Sequence, residues 1–455
     1  MRLAQASTTL ALFTAAIWLV HPLHTTAVTY IVQRTESLMG LFYLLTVYCA
    51  IRAFSADKKT RWYVLSILAC ALGMGAKESL ITAPVVILIY DRIFVSRSFK
   101  ELLAARWWYH LLMFATWAIV LILVFAGSRR LAPHSDMVTA MTRWQYFVTQ
   151  FEVVTAVYLK LSFWPHPLVF DYGAPFKESL SQVIPYALFV LLLVAATVWA
   201  LFKKPPAAFL GVWFFGNLLL TSSFLRLVSE SIAERRMYLS LAALAAGAVI
   251  GAYLLFKRKK WPLSTVAAAG GIAVLALGIL TFARNADFKS TETIWEDNVR
   301  KRPDNARGWM NLGNEYAKQG RHHQAADAFA GAVKANPGYP DAHASRGIAL
   351  AHSGRPDQAL ASLNRAIELD PALAHAWRIR GSLHGMHRNY DQAIIDLTRA
   401  IDLTPNDAGA YLDRGIAHER KGDLDRAVED YRKALQLDPA DARARAKLES
   451  LRRAP

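Results

Sequence analysis

Five prolines recur every 34 residues in the C-terminal part of the chain, at positions 303, 337, 371, 405 and 439. Equal spacing over five positions indicates an internal repeat rather than five unrelated turns. Because proline cannot continue an α-helix, each one marks a helix end at the same place in every unit. A unit of this size cannot bury an apolar face alone, so the units must stack into an array.

Small and large apolar residues keep fixed places between these prolines. With the first unit starting at residue 306, they are Trp309, Leu312, Gly313, Tyr316, Ala325, Phe329 and Ala332, and glycine and alanine return at the equivalent positions of the next three units. This is the pattern of the tetratricopeptide repeat, which has two antiparallel helices per unit. The small residues let those helices cross closely, and the large ones fill the space between units.

The pattern sets the boundaries that we predict for the C-terminal region. Four repeats cover residues 306–441. Residues 284–305 are a linker and a leading half-repeat, in which Trp295 takes the place of Phe329, and residues 442–455 carry a polar capping helix. Stacked repeats present a concave face that suits a peptide or another protein, and we expect such a partner here.

Residues 1–283 consist largely of apolar runs. Nine of them approach the length needed to cross a bilayer, and they cover roughly 7–20, 37–54, 62–76, 79–90, 107–126, 183–202, 207–225, 237–256 and 262–283. The predicted fold is therefore all-α, with a polytopic membrane domain of about nine spans over residues 1–283 and the repeat solenoid after it.

Two stretches of the membrane domain can be assigned to spans in more than one way. Residues 62–90 are either one long helix or two short spans with a break at Lys77-Glu78, and residues 143–165 are either a tenth span or a re-entrant, interfacial helix. We prefer the break and the re-entrant helix, because they keep every basic loop on one side of the membrane.

The formal net charge of +17 is concentrated in the membrane domain, which has 25 Lys and Arg against 11 Asp and Glu. Basic clusters follow the second, fourth, sixth and eighth apolar runs, so the positive-inside rule places the N-terminus in the cytoplasm and the repeats outside. We expect a multi-pass protein of the bacterial inner membrane with periplasmic repeats. The charge is explained by orientation, and we predict no nucleic-acid partner.

Cys49 and Cys70 are the only cysteines, and both lie in apolar runs. They provide neither a disulfide framework nor a cysteine metal site. The histidines of the repeats lack metal-ligand spacing, and we predict no metal site.

Ionisable residues collect at the predicted outer face, where they are costly and therefore indicate function. The cations suit a lipid-linked phosphate, and a carboxylate or histidine suits a general base. We assign phosphate binding to Arg34, Lys77, Arg235 and Arg236, with His24, Glu78 and Glu234 as candidates for orienting or catalytic groups. The alternative is that these residues cap helices and form ion pairs between spans.

Short motifs connect these residues to a known family. The segment His21–Val28 (HPLHTTAV), followed by Arg34, resembles the HP-hydrophobic-HTEAV…R segment of the transmembrane and tetratricopeptide-repeat-containing O-mannosyltransferases, with Thr26 where that pattern has glutamate. Lys77-Glu78, Glu234–Leu239 (ERRMYL) and Arg284-Asn285 resemble further motifs of the family in the same order. The resemblance covers nearly the whole chain.

The resemblance implies a GT-C-like membrane glycosyltransferase. Its donor would be a polyprenyl-phosphate-linked sugar, here mannose, its acceptor a protein hydroxyl on the external face, and its repeats would present that acceptor. The family pattern also implies about two spans and an acidic external loop upstream of Met1, so we expect the chain to be N-terminally truncated and leave its catalytic residue open. The alternatives are a non-catalytic membrane-anchored scaffold for envelope assembly and a transporter-like protein.

Overall fold

The computed structural model describes residues 2–29, 34–56, 59–127, 142–173, 176–219, 222 and 232–453. Its regular elements are helices throughout these ranges, which confirms the predicted fold class. The chain forms two compact units, Met1–Ser290 and Thr291–Pro455.

The first unit contains the long apolar helices. They are α1 (Arg2–Val20), α2 (Thr25–Val28), α3 (Arg34–Ser55), α4 (Lys59–Ala76), α5 (Ala83–Tyr90), α6 (Phe99–Ala115), α7 (Trp117–Gly127), α8 (Arg143–Glu152), α9 (Lys160–Phe163), α10 (Ile184–Lys203), α11 (Pro205–Leu219), α12 (Met237–Arg258) and α13 (Leu263–Asn285). Short 3₁₀ turns precede α2, α5, α10 and α12, and π-helical turns follow α5 and α8.

The surface of these helices is apolar. Helix α10 exposes 63% of Leu188, 64% of Leu192 and 80% of Phe202. Water would penalise such a continuous apolar surface, whereas lipid does not. Five helices of the described residues are long and apolar enough to cross a membrane, or six if the bent pair Ser7–Val20 and Pro22–Val28 counts as one span. The count of nine spans stays a prediction.

Helix α4 ends at Ala76, and Lys77 has an extended backbone with φ −162° and ψ 141°. A 3₁₀ turn (Glu78–Thr82) then leads into α5, with Pro84 in its first turn. The preferred break at Lys77-Glu78 is therefore present, because neither the extended lysine nor the proline continues helix α4.

Helix α6 begins earlier than the apolar run that predicted it. It starts at Phe99, bends at Arg106 (φ −144°), and thus includes residues that the sequence assigned to a basic loop. Arg106 donates to both carboxylate oxygens of the fully buried Asp91, at 2.7 and 2.8 Å, and His110 Nε2 lies 3.0 Å from the same carboxylate. This ion pair explains why a charged residue belongs to the helix.

The second unit is built from helix pairs. Its helices are α14 (Thr291–Lys301), α15 (Ala306–Lys318), α16 (His322–Ala335), α17 (Pro340–His352), α18 (Pro356–Leu369), α19 (Ala374–Met386), α20 (Tyr390–Leu403), α21 (Ala408–Lys421), α22 (Leu424–Leu437) and α23 (Ala442–Arg453).

Glycine has a steric role where the two helices of a repeat cross. A Cβ on Gly313 in α15 would lie 2.5 Å from the ring of Phe329 in α16, and one on Gly415 in α21 would lie 2.7 Å from Tyr431 in α22. Since real Cβ atoms do not approach so closely, only glycine permits this helix contact.

Candidate functional site

Three charged side chains from separate parts of the first unit meet at one point. Lys77, in the break after α4, forms an ion pair with Glu36 in the first turn of α3. Arg235, in the 3₁₀ turn (Glu234–Arg236) that precedes α12, places its Nε 3.8 Å from Glu36 Oε1. Glu36 is buried, with 5% of its side chain exposed, so a cation beside it is needed to offset the cost of its charge.

A small cleft lies beside Glu36 and Arg235 of this cluster. Its lining includes Glu36, Arg235, Arg236 and Tyr238, together with Ser79 and Asn217. The cleft thus combines cationic, hydroxyl and amide groups beside a buried carboxylate. The cleft has a volume of about 20 Å³, and its two guanidinium groups are of the kind that bind phosphate through charge-assisted hydrogen bonds.

Arg236 also contacts helix α8. It is buried, and its Nη1 donates to the hydroxyl of Tyr146 in α8 at 3.2 Å. Arg236 therefore lines the cleft and also joins the start of α12 to α8.

The contacts of Glu234 are to another segment of the first unit. Its Oε1 accepts from the backbone N–H of Val169 at 2.6 Å and from the Tyr172 hydroxyl at 2.9 Å. The carboxylate is buried and fixes the segment around residues 169–172 against the start of α12.

His24 lies in a buried aromatic cluster. Its ring centroid is 5.2 Å from that of Trp18 and 4.8 Å from that of Tyr238. The Trp18 indole donates to the Tyr238 carbonyl at 2.6 Å, which closes the cluster on α12. Gly40 of α3 faces the Tyr238 ring, and a Cβ there would collide with it. The cluster therefore sets the distance between α3 and α12 next to the cleft.

Glu78 is half-buried at the start of its 3₁₀ turn. Within the part of the chain that the structure describes, its carboxylate makes no hydrogen bond or ion pair. Arg34 begins α3, but its side chain lies outside the described residues. The structure thus brings together Lys77, Arg235 and Arg236 of the predicted phosphate-binding residues.

The sequence places Glu36 among the ionisable residues of the predicted outer face, but it was given no role in the site, although this residue connects the cluster. Its position in the first turn of α3, two residues after Arg34, was the available signal. A carboxylate at the end of an apolar helix needs a partner, but the sequence does not show that the partners come from residues 77 and 235.

The repeat unit has a cleft of its own, with a volume of about 420 Å³, between α19 and α21. Its lining combines apolar side chains, including Met386 and Ile416, with the polar side chains of Ser382, Asp413 and Arg420. Ser382 donates to Asp413 at 2.8 Å. Burial raises the pKa of Asp413 above its usual range, against the opposing effects of Ser382 and Arg378.

Different family models match the N-terminal and the C-terminal parts of the chain. Residues 2–127 match the family model "Dolichyl-phosphate-mannose-protein mannosyltransferase". Residues 281–340, 310–374 and 380–442 match "Tetratricopeptide repeat". No curated protein matches the chain.

Several solved structures are similar to part of the chain. A crystal structure of the MamA protein is 26% identical, with 34% of this chain and 86% of that chain covered and a TM-score of 0.31. YrrB, described as a TPR protein with an unusual peptide-binding site, is 22% identical, with 38% and 87% covered and a TM-score of 0.32. The second TPR domain of human RPAP3, solved in complex with an HSP70 peptide, is 27% identical, with 26% and 100% covered and a TM-score of 0.25.

The two family matches support a mannosyltransferase-like membrane protein with a protein-binding repeat array. The mannosyltransferase model matches at the N-terminus and the repeat model matches in the C-terminal region, which is the combination that the resemblance to membrane O-mannosyltransferases with tetratricopeptide repeats predicted.

Proposed function

We propose that this protein transfers mannose from a polyprenyl-phosphate donor to a serine or threonine hydroxyl of a protein at the external face of the membrane. The observation that carries the proposal is the convergence of Lys77 and Arg235 on the buried carboxylate of Glu36. Part of this cluster lies within the segment that matches the mannosyltransferase model.

Lys77 and Arg235 are the groups that we assign to the donor phosphate. Before the donor binds, Glu36 holds both cations in place and balances their charge in a region of low dielectric constant. A phosphate oxygen offers them the same acceptor chemistry as a carboxylate oxygen. Arg236, fixed through Tyr146, lines the cleft together with Arg235 and adds a third positive charge.

The transfer itself is a displacement at the anomeric carbon of the sugar. The acceptor hydroxyl forms the new C–O bond, the bond from that carbon to the phosphate oxygen breaks, and polyprenyl phosphate leaves with the bonding electron pair. A general base takes the hydroxyl proton. Among the carboxylates of this region, Glu78 is the candidate for that base, because Glu234 is bound to Val169 and Tyr172 and Glu36 to Lys77.

The acceptor polypeptide is the partner that we assign to the repeats. The cleft between α19 and α21 is lined by both apolar and polar groups, which suits an extended peptide with mixed side chains. Binding a segment of the acceptor there would raise its local concentration at the membrane.

The proposal is tested by reconstituting the full chain in proteoliposomes with radiolabelled polyprenyl-phosphate mannose and a Ser/Thr-rich protein acceptor. Lys77→Met and Arg235→Gln each remove one phosphate contact, and each should lower transfer on the order of 100-fold. The matched control is Lys203→Gln, an exposed basic residue at the end of α10, which should leave transfer unchanged.

Two results would contradict the proposal. Full activity of both cluster variants would remove Lys77 and Arg235 from the site. Absence of transfer by the unaltered chain, with a folded repeat unit that still binds polypeptide, would favour the membrane-anchored scaffold.

A further inference from the structure

The repeats contain a periodic buried ion pair. In the third repeat, Arg380 of α19 donates from Nε and Nη2 to both oxygens of Asp396 in α20, at 2.7 and 2.9 Å. In the fourth repeat, Arg414 of α21 donates in the same way to Asp430 in α22, at 2.9 and 2.7 Å. Each arginine precedes its aspartate by 16 residues, and the two pairs are 34 residues apart.

Each of these arginines has two further contacts. The remaining Nη1 donates to the preceding repeat, from Arg380 to Asn364 at 2.8 Å and from Arg414 to Thr398 at 3.1 Å. The guanidinium carbon also lies over an aromatic ring three residues earlier in the same helix, at 4.7 Å from Trp377 and 5.6 Å from Tyr411. Each of the three guanidinium nitrogens of Arg380 and of Arg414 therefore donates to an acceptor.

The equivalent place in the first repeat is apolar, with Leu312 and Ala328, and both are buried. The second repeat has an arginine at this position, but the residues around it differ from those around Arg380 and Arg414. Arg346 of α17 faces Ser362 instead of aspartate, Ala330 stands where Asn364 and Thr398 stand, and His343 replaces the aromatic ring.

Arg346 therefore has one hydrogen-bond partner among the described residues, the Ser362 hydroxyl, to which Nε donates at 2.9 Å. The two Nη groups, which bind acceptors in the next two repeats, have none in this part of the chain. Burial lowers the pKa of Arg346 below its usual range, and no carboxylate opposes that shift. In contrast, hydrogen bonding to Asp430 raises the pKa of Arg414.

We propose that Arg346 is a binding site for a carboxylate side chain of a bound acidic peptide. The ligand class follows from the internal comparison, because the same guanidinium at the same helix position takes a carboxylate in each of the next two repeats. A half-buried arginine without a carboxylate beside it is costly, and a bidentate carboxylate is the group that best offsets this cost. The site is independent of the sugar-transfer chemistry in the membrane unit.

The test uses the full chain in lipid nanodiscs, labelled with phenylglyoxal and analysed by peptide mass spectrometry. Arg346 should react several-fold faster than Arg380 and Arg414, whose guanidinium groups are occupied. A hexaglutamate peptide should protect Arg346 and leave the slow rates of the other two unchanged.

Ser362→Asp restores the missing carboxylate from inside the chain. In this variant Arg346 should react as slowly as Arg380, and hexaglutamate should give no further protection. Asp396→Ser is the converse variant, and it should make Arg380 fast and protectable, which keeps the test valid if one of the two variants is poorly folded.

Three outcomes would overturn the inference. They are an Arg346 that reacts as slowly as Arg380 in the unaltered chain, hexaglutamate protection that persists in Ser362→Asp, and protection by inorganic phosphate but not by hexaglutamate.

Discussion

Arg380 and Asp396 show how a repeat accommodates charge in its interior. Asp396 is fully buried and Arg380 has 14% of its side chain exposed. Such a pair contributes little net stability compared with well-packed apolar groups, but removal of one partner leaves an uncompensated charge. The first repeat has an apolar pair in the same place, Leu312 with Ala328, so both solutions occur in one chain.

This contrast gives a prediction for the third repeat. Arg380→Leu should destabilise the α19–α20 pair by about 3 kcal/mol, because Asp396 remains buried without its cation. Arg380→Leu combined with Asp396→Ala copies the first repeat and should recover most of that loss. The measurement is amide hydrogen exchange of α20 in the full chain.

The double variant tests whether the unpaired charge of Asp396 causes the destabilisation. If its α20 amides exchange as fast as those of Arg380→Leu, unpaired charge is not the cause of the destabilisation.

At the scale of the helices, buried histidines determine how the repeats respond to acid. Burial lowers the pKa of His343 in α17 and of His418 in α21 below the usual value of 6.5. His343 Nε2 lies 3.0 Å from the Pro337 carbonyl, at the turn between two repeats. A proton on either ring would be poorly solvated inside the array.

The sign of the pH effect follows from these lowered pKa values. Below about pH 6.5 the unfolded chain binds protons that the folded chain does not, so the stability is fully present above that pH and declines as the pH falls. Each histidine contributes at most about 1.4 kcal/mol per pH unit. We expect the repeats to lose protection against hydrogen exchange between pH 7 and pH 5.

The matched variant is His343→Gln with His418→Gln. Its overall stability falls, because the histidine contacts are lost, but its pH dependence over this range should be flatter than that of the unaltered chain. An identical slope in both proteins would show that other groups cause the acid sensitivity.

At the scale of the whole molecule, the distribution of basic residues predicts orientation. A phosphatase reporter that is active only outside the cytoplasm should be active when fused after Pro455. The same reporter inserted after Ser98, in the basic segment before α6, should be silent, because that segment is predicted to be cytoplasmic. A silent C-terminal fusion together with an active one at Ser98 would reverse the topology.

The 34-residue period and the apolar runs were sufficient to predict the all-α fold and the repeat helices, because both are local patterns along one chain. The break at Lys77 was also predictable, since short spans and a charged dipeptide coincide there. The number of spans was not predictable, because apolar runs of 12 to 22 residues are compatible with spans, broken spans and buried helices.

The sequence by itself determined the helical repeats, the apolar helices and the residue types available at their ends. Only the tertiary structure decided that Glu36 lies between Lys77 and Arg235, that Glu234 binds Val169 and Tyr172 instead, and that Arg346 lacks the partners of Arg380. The physical reason is that periodicity fixes which face a residue occupies within its own helix, whereas charge pairing depends on which distant segments meet.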